Sequence, residues 1–343
     1  MKIIDGKQLA KNIKENVKEK IFLNYINCGK EVPCLVCIIV GDDKASQVYV
    51  NSKKKACEAC GLKSLIYNFP AETTKEFLID FLKKLNKDKS VSGILVQLPL
   101  PQKLDKCRDE IINTISPEKD VDCLTYENLG RMYSGNEIIA PCTATGIMKI
   151  LESECYDLDG KDVVVVGRSL LVGKSVSTLL QSKNATVTNC HSHTKNLKEK
   201  CRQADVLIVA VGKEKMIKND YVKDGAFVID VGINRTENGL VGDVDFDDVK
   251  EKCCCITPVP GGVGPLTVAC LMENTLILHE KAHNKNIEDK KNTIVWDCIF
   301  IFCYESEKVI LTGLWSEYMK SVSMFTTEAV TLSETMKPSI TTE

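Results

Sequence analysis

The chain has 343 residues, 44% of them apolar, enough for two domains of about 150 residues each with full-sized cores. Lys and Arg number 45 against 47 Asp and Glu, a formal charge of −2, so no basic or acidic excess points to nucleic acid or to a membrane surface. Charge begins at Lys2 with no apolar signal core, and the 17 cysteines are scattered; both predict reduced thiols in a cytoplasm rather than a disulfide framework.

Residues 5–28 carry apolar groups at helical spacing, with Asn27 and Gly29 marking the end. CLVCIIVG (34–41) reads as a buried strand and 45–60 as a helix stopped by Gly61. SLIYNF (64–69) is a strand, TTKEFLIDFLKKLNK (73–87) an amphipathic helix, and SGILVQLPLP (92–101) a buried strand ending in prolines. Such alternation predicts an α/β layer structure with a mainly parallel sheet. The rhythm restarts after residue 160. KDVVVVG (161–167), ATVTNCH (185–191), DVLIVAVG (205–212) and AFVIDVGI (226–233) read as short strands separated by helical segments, a doubly wound nucleotide-binding pattern. The boundary falls near 140–160, where Pro141, Gly146 and YDLDGKD cluster. A last helix, TVACLMENTLILHEKAH (267–283), fades into the charged run NKNIEDKKN. From 292 the texture changes. Trp296 and Trp315 lie there, IVWDCIFIFCY (294–304) falls well short of the ~20 apolar residues of a membrane span, and the polar end reads as an appendage. Truncation after residue 285 is expected to leave activity intact.

Several motifs carry chemistry. In YVNSKKK (49–55), Tyr49 stands four positions before Lys53, which on a helix puts phenol and amine on one face. A solvated basic face is the plain reading, and a catalytic Tyr/Lys pair the sharper one. Cys34/Cys37 and Cys57/Cys60 have the spacing of a four-cysteine zinc site. However, positions three apart on a strand point to opposite faces, so no metal site is expected. HEKAH (279–283) matches a metalloprotease pattern but falls at a helix end with no third ligand downstream. GRSLLVGKS (167–175) has five residues between its glycines where a P-loop has four. It looks instead like a dinucleotide turn, with a phosphate at a helix N-terminus. The second strand of that half ends Cys190-His191-Ser192 without the acid that binds the ribose of NAD. Arg168 in the turn, with a nearby hydroxyl, suits a 2′-phosphate and so NADP.

The segments SQVYVNSKKKACEACG, ILVQLPLP, SPEKDVD, VVVVGRSLLVG, VTNCHS, DVGIN, VGDV and TPVPGGVGPLT occur in this order. Together they closely resemble the bifunctional methylenetetrahydrofolate dehydrogenase/cyclohydrolase family, from residue 1 to about residue 285. The resemblance implies an N-terminal α/β folate-binding catalytic domain (1–145, completed by a C-terminal helix over 267–285), a Rossmann-type NADP-binding domain (146–266), a cleft between them, and a tail (286–343) without counterpart. It implies a homodimeric cytoplasmic enzyme of one-carbon metabolism that takes tetrahydrofolate substrates, with no nucleic acid or membrane partner. The enzyme would oxidise 5,10-methylenetetrahydrofolate with NADP, then hydrolyse the methenyl product to 10-formyltetrahydrofolate.

Carried over residue by residue, Lys53 is the catalytic lysine and Gln97 the group that holds its amine. Tyr49 supplies a flat wall and a hydroxyl, and Asp120 accepts paired N–H groups of the pterin. The substrate site would comprise Tyr49, Val50, Asn51, Ser52 and Lys53, then Val96, Gln97, Leu98 and Asp120, and the loop Pro260, Gly261, Gly262, Val263 and Gly264. Gly167, Arg168, Ser169, Ser192 and Ile233 would contact NADP. The chain departs from the family at Cys123, where the family has glycine, and at Ala144 and Ser175, where it has proline. Two rival readings are a dehydrogenase without cyclohydrolase activity and a non-catalytic cysteine-rich zinc-binding protein.

Overall fold

The computed structural model describes residues 1–237 and 239–304, the side chains of 44, 45 and 284–304 excepted. Residues Met1–His283 form one compact unit. The chain opens with a short strand, β1 (Lys2–Ile3), and helix α1 (Gly6–Ile21), which Asp5 caps by accepting Gln8 N–H. A π-helical turn over Phe22–Ile26 extends α1 before β2 (Cys34–Val40). Next come α2 (Lys44–Cys60), β3 (Lys63–Phe69), α3 (Lys75–Lys87) and β4 (Gly93–Val96). Asp43 and Thr74 accept the first-turn N–H groups of Ser46 and Phe77, and Gly61 ends α2 at φ 82°, a backbone glycine adopts without strain. Short helices α4 (Gln102–Asp105) and α5 (Arg108–Ile112) precede α6 (Tyr126–Tyr133) and α7 (Cys142–Ser153).

These segments build a three-stranded parallel sheet in the order β3-β2-β4. Every residue of β2 and β4 is buried. That is why both read as unbroken apolar runs: a parallel strand covered on both faces has no polar side to alternate with.

The second half holds β5 (Asp162–Val166), α8 (Ser175–Gln181), β6 (Thr186–Cys190), α9 (Leu197–Cys201), β7 (Val206–Val209) and β8 (Phe227–Asp230). A hairpin, β9 (Asn234–Thr236) and β10 (Gly239–Val241), then leads through α10 (Phe246–Val249) to β11 (Cys255–Ile256) and the long α11 (Val263–Tyr304). The six-stranded parallel sheet runs β1-β11-β8-β7-β5-β6. From β5 the chain steps out to β6 and then crosses to β7 on the other side. The carboxyl end of β5, at Gly167, is therefore the switch point where such sheets bind dinucleotides. The two-domain α/β reading with a Rossmann-type second half is what the chain adopts.

Two features were not anticipated. The chain's start pairs with the second sheet: Lys2 stands opposite Cys255 and Ile3 opposite Ile256. The last helix begins at Val263 and its backbone runs through the charged segment to Tyr304, beyond the end read from composition. Its buried face, Cys270, Leu271, Met272, Leu276 and Leu278, packs in one apolar cluster with β2 and α2 residues such as Leu35, Cys37, Val50 and Cys57. No helix among the described residues is long and apolar enough to cross a membrane. The expected appendage begins in the part of α11 whose side chains are not described, and 305–343 lie outside the described residues.

Candidate active site

Lys53 lies on α2, and its Nζ donates to Gln97 Oε1 at 2.9 Å. Gln97 follows β4 directly. Its N–H donates to Ile38 O at the end of β2, and its Nε2 donates to Leu98 O at 2.7 Å. Both ends of the glutamine amide are thus committed, which fixes its oxygen toward the lysine. The pair lines a cavity of 330 Å³ together with Tyr49, Asp122, Thr143 and Ile233. A second cavity, of 520 Å³, shares Tyr49 and Ile233 and continues over the Pro260–Gly264 loop. Where that loop meets the start of α1 there is no room for a side chain: a Cβ on Gly6 would lie 1.9 Å from Gly262 O.

The YVNSK stretch divides by helical geometry. Tyr49, Ser52 and Lys53 face the cavities. Val50 and Asn51 do not, because α2 turns them away; they line a separate polar depression with Asp42 and Asn68, and Val50 is 1% exposed. Asp120 is also a correction. It is 1% exposed, and its two oxygens accept Leu124 N–H (3.1 Å), Thr125 N–H (2.8 Å), Thr125 Oγ1 (2.8 Å) and Asn128 Nδ2 (3.0 Å). So buried and so engaged, this carboxylate lines neither cavity. The carboxylate on the cavity wall is Asp122, two residues on in the same KDVD motif. Burial pushes its pKa up, the Lys53 ammonium pulls it back down, and the Asp120 charge raises it further. The thiol of Cys142 donates to it at 3.6 Å.

Val96, Gln97 and Leu98 all line the inner cavity, and Pro260, Gly261, Gly262, Val263 and Gly264 all line the outer one. Ile233 belongs to both and is 44% exposed. Gly167, Arg168 and Ser169 form the turn after β5, and Ser192 is exposed beyond the end of β6. The extra residue between Gly167 and Gly173 is taken up by a π-helical turn over Leu170–Lys174 that leads into α8. Gly173 packs on the turn so closely that a Cβ there would sit 2.3 Å from Gly167 O. That is the close turn-to-helix approach a dinucleotide-binding turn requires.

Sequence reasoning missed the groups that hold these loops. Asp230 accepts N–H groups from Gly232 (2.9 Å), Asp243 (3.0 Å) and Val244 (2.9 Å). Asp243 accepts from Val211, Gly212 and Lys213 N–H and from Asn234 Nδ2. DVGIN and VGDV are therefore two halves of one latch that sets Ile233 on the cavity wall. Burial raises the Asp230 pKa to about 6. Thr143 and Thr267, whose hydroxyls meet at 3.2 Å, join the inner wall from α7 and α11.

The other tempting motifs lead elsewhere. Cys37, Cys57 and Cys60 sit in the apolar cluster beneath α2, and Cys60 Sγ donates to Lys14 O. Among the described residues no group of three or more His, Cys, Asp or Glu side chains is placed to hold a metal ion. His279 of HEKAH is buried against Ser92, Nδ1 to Oγ 2.8 Å, rather than exposed at a helix end.

Residues 4–122 match the tetrahydrofolate dehydrogenase/cyclohydrolase catalytic domain, and residues 141–283 match the NAD(P)-binding domain of the same family. The chain is 51% identical over 277 residues to the bifunctional protein FolD of Campylobacter hominis, covering 80% of this chain and 96% of that one. The crystal structure of the bifunctional FolD enzyme from Campylobacter jejuni superposes with a TM-score of 0.80 at 48% identity, over 82% of this chain and 99% of that one. The Trypanosoma brucei enzyme, solved with NADP cofactor and inhibitor, gives 0.78 at 39% identity, over 82% and 97% of the two chains. The chain belongs to the tetrahydrofolate dehydrogenase/cyclohydrolase family.

Proposed function

We propose that this chain performs both reactions its family is named for. These are NADP-linked oxidation of 5,10-methylenetetrahydrofolate to the methenyl form, and hydrolysis of that product to 10-formyltetrahydrofolate. The observation that carries the reading is the Lys53–Gln97 hydrogen bond beside Asp122, in a cavity walled by both halves of the family signature. The residues of the β5 turn fit a dinucleotide, since the turn is packed too tightly for side chains at Gly167 and Gly173, with Arg168 and Ser169 exposed beside them. When bound, NADP accepts the hydride. The chain's part in that step is alignment: Ile233, set by the Asp230–Asp243 latch, walls the space between turn and folate.

Asp122 would accept N–H groups of the pterin, a charge-assisted contact that fixes the ring. Tyr49 lies one turn from Lys53 and flanks the substrate between the two cavities. In the hydrolytic step Lys53 Nζ, oriented by Gln97, moves protons at the one-carbon bridge while water adds to the methenyl carbon. The monofunctional alternative has against it the intact Lys53–Gln97 pair.

In this reading the catalytic domain comprises 1–145 with the start of α11, the cofactor domain 146–266, and the enzyme acts as a cytoplasmic homodimer. Support for a dimer comes from the β3 edge, where Leu65 is 43% and Phe77 50% exposed beside a cluster of Tyr67, Phe69 and Phe81 rings. The test of function is an assay that follows reduced cofactor and methenyl absorbance separately. Wild type should form reduced cofactor without methenyl build-up. Lys53→Gln should accumulate methenyl product, and unchanged formyl production by that variant would overturn the role of Lys53.

A further inference from the structure

Two neighbouring thiols stand outside the cavities, on the strand that leads into their wall. Cys254 is exposed and Cys255 half-buried, while the third member of the run, Cys253, is buried and donates to Val249 O. Cys254 stands at the bend before β11, and Cys255 opens that strand between Lys2 of β1 and Phe227 of β8. The two thiols are hydrogen-bonded to each other, and the Lys2 ammonium acts on the Cys255 sulfur from the β1 side. Burial first, then the charge on Cys254, pushes the Cys255 pKa up to about 11. The proton is thus held on Cys255, and the exposed Cys254 is the nucleophile of the pair. The backbone here carries structure on both sides. Lys2 N–H donates to Cys254 O at 2.8 Å and Ile4 N–H to Ile256 O at 2.9 Å, which ties the chain's start to the second sheet. Just past β11, Thr257 Oγ1 accepts Asp230 N–H at 2.8 Å, and the Pro260–Gly264 loop follows.

We propose that Cys254 and Cys255 are a redox site: a low-molecular-weight disulfide oxidises them to a vicinal disulfide, and the closed ring loosens the Pro260–Gly264 loop through β11 and β1. The Cys254 sulfur attacks one sulfur of the external disulfide, and the other half leaves as a thiol with the Cys254 proton. The Cys255 sulfur then attacks the mixed disulfide at Cys254 and expels the second half, which takes the Cys255 proton. Two cysteine thiols become one disulfide, and one external disulfide becomes two thiols. Adjacent Cα atoms lie about 3.8 Å apart, whereas disulfides usually join Cα atoms roughly 4.4–6.8 Å apart. Successive residues of a strand also point to opposite faces, so the ring closes only by twisting the backbone out of its extended form. That twist turns Cys254 O away from Lys2 N–H and releases β1. α1 follows β1 directly, and its first residue is packed on the loop so closely that a Cβ on Gly6 would lie 1.9 Å from Gly262 O. The strain also makes the bond easy to reduce again, as regulatory disulfides are.

The experiment treats the reduced full chain with glutathione disulfide and maps the product by mass spectrometry. Amide exchange at Ile4 and the KM for methylenetetrahydrofolate are measured on the same sample. The protein should lose two hydrogens, mapped to Cys254 and Cys255, and Ile4 should exchange faster. KM should rise about fivefold, the equivalent of one lost hydrogen bond, and dithiothreitol should reverse all three changes. Cys254→Ser should keep the KM of the reduced protein and show none of them, and Cys255→Ala should stop at the mixed disulfide with glutathione. Glutathione on the exposed Cys28 or Cys155 with no reaction at Cys254 overturns the site. A disulfide between Cys254 and Cys255 that leaves either exchange or KM unchanged overturns its coupling to the loop. Absent turnover by the reduced protein, with disulfide and faster exchange both present, would instead overturn the reaction assigned above and leave the redox site standing.

Discussion

At the residue scale, the two aspartates of KDVD show how alike neighbours take unlike work. Asp120 is a structural anion holding the turn into α6, with four donors on its oxygens. Asp122 faces the cavity. Asp120→Ala would leave buried N–H and hydroxyl groups without acceptors and is expected to cost about 3 kcal/mol of stability, read as a lowered denaturant midpoint. Asp122→Asn should keep the midpoint and raise KM for the folate; a variant with wild-type KM would remove Asp122 from the site. The motif was legible, but residues two apart on a strand share a face. What separates the two carboxylates is the turn that follows the Ile94–Asp120 bridge and the positive φ at Cys123, and no spacing rule shows that. Backbone conformation was equally silent. Cys123, standing where the family has glycine, holds φ 56° and is fully buried, its thiol donating to Ile139 O. Substitution by glycine there would trade strain for a cavity. Cys155 holds φ 49° at the exposed end of α7, where Tyr156 N–H reaches back to Leu151 O. With no buried contact to lose, Cys155→Gly should stabilise by about 1 kcal/mol and raise the Tm by about 2–4 °C in a thermal scan.

At the element scale, most strands were readable because parallel strands buried on both faces announce themselves as apolar runs, and the helices between them as periodic ones. What composition hid is how α11 serves the site. Asn274 of α11 donates from Nδ2 to Val121 O (3.0 Å) and Ala140 O (3.1 Å), tying the segment that bears Asp122 to the segment that starts α7. Lys149 of α7 and Glu273 of α11 add a half-buried ion pair at 3.0 Å. A polar side chain inside an apolar helix reads in sequence as a flaw in the stripe, whereas here it holds two loops together. Asn274→Ala would strand two buried carbonyls at a cost of about 2 kcal/mol. It should also loosen Asp122, so KM for the folate should rise while the NADP affinity measured by titration stays unchanged. A rise in both would mean that the helix supports the fold without distinguishing the two sites.

At the scale of the whole molecule, closure of α11 over the first sheet depends on a buried imidazole. Cys34 N–H donates to Ser92 Oγ at 3.0 Å, which leaves the serine proton for His279 Nδ1 at 2.8 Å, and the Tyr25 ring packs edge-on at 4.8 Å. β2, the start of β4, the turn after α1 and α11 thus converge on one neutral ring. Burial first, and the neighbouring His283 second, push the His279 pKa down to about 4 from 6.5. The neutral form is therefore the one the fold prefers. Its contribution is fully present above the unfolded value and is lost as pH falls toward the folded one, amounting to roughly 3 kcal/mol by the bottom of that range. Asp230, raised to about 6, works in the opposite sense, since its protonated form is favoured in the fold and its contribution grows as pH falls. The two overlap between pH 4 and 6, so the wild-type profile alone would blur them. Comparison with His279→Gln cancels Asp230. Between pH 7 and pH 4, the stability of wild type should fall relative to that variant by roughly 3 kcal/mol, measured by urea unfolding at each pH. A constant difference across the range would mean that His279 is not kept neutral by its surroundings, and that α11 is held down by its apolar face alone.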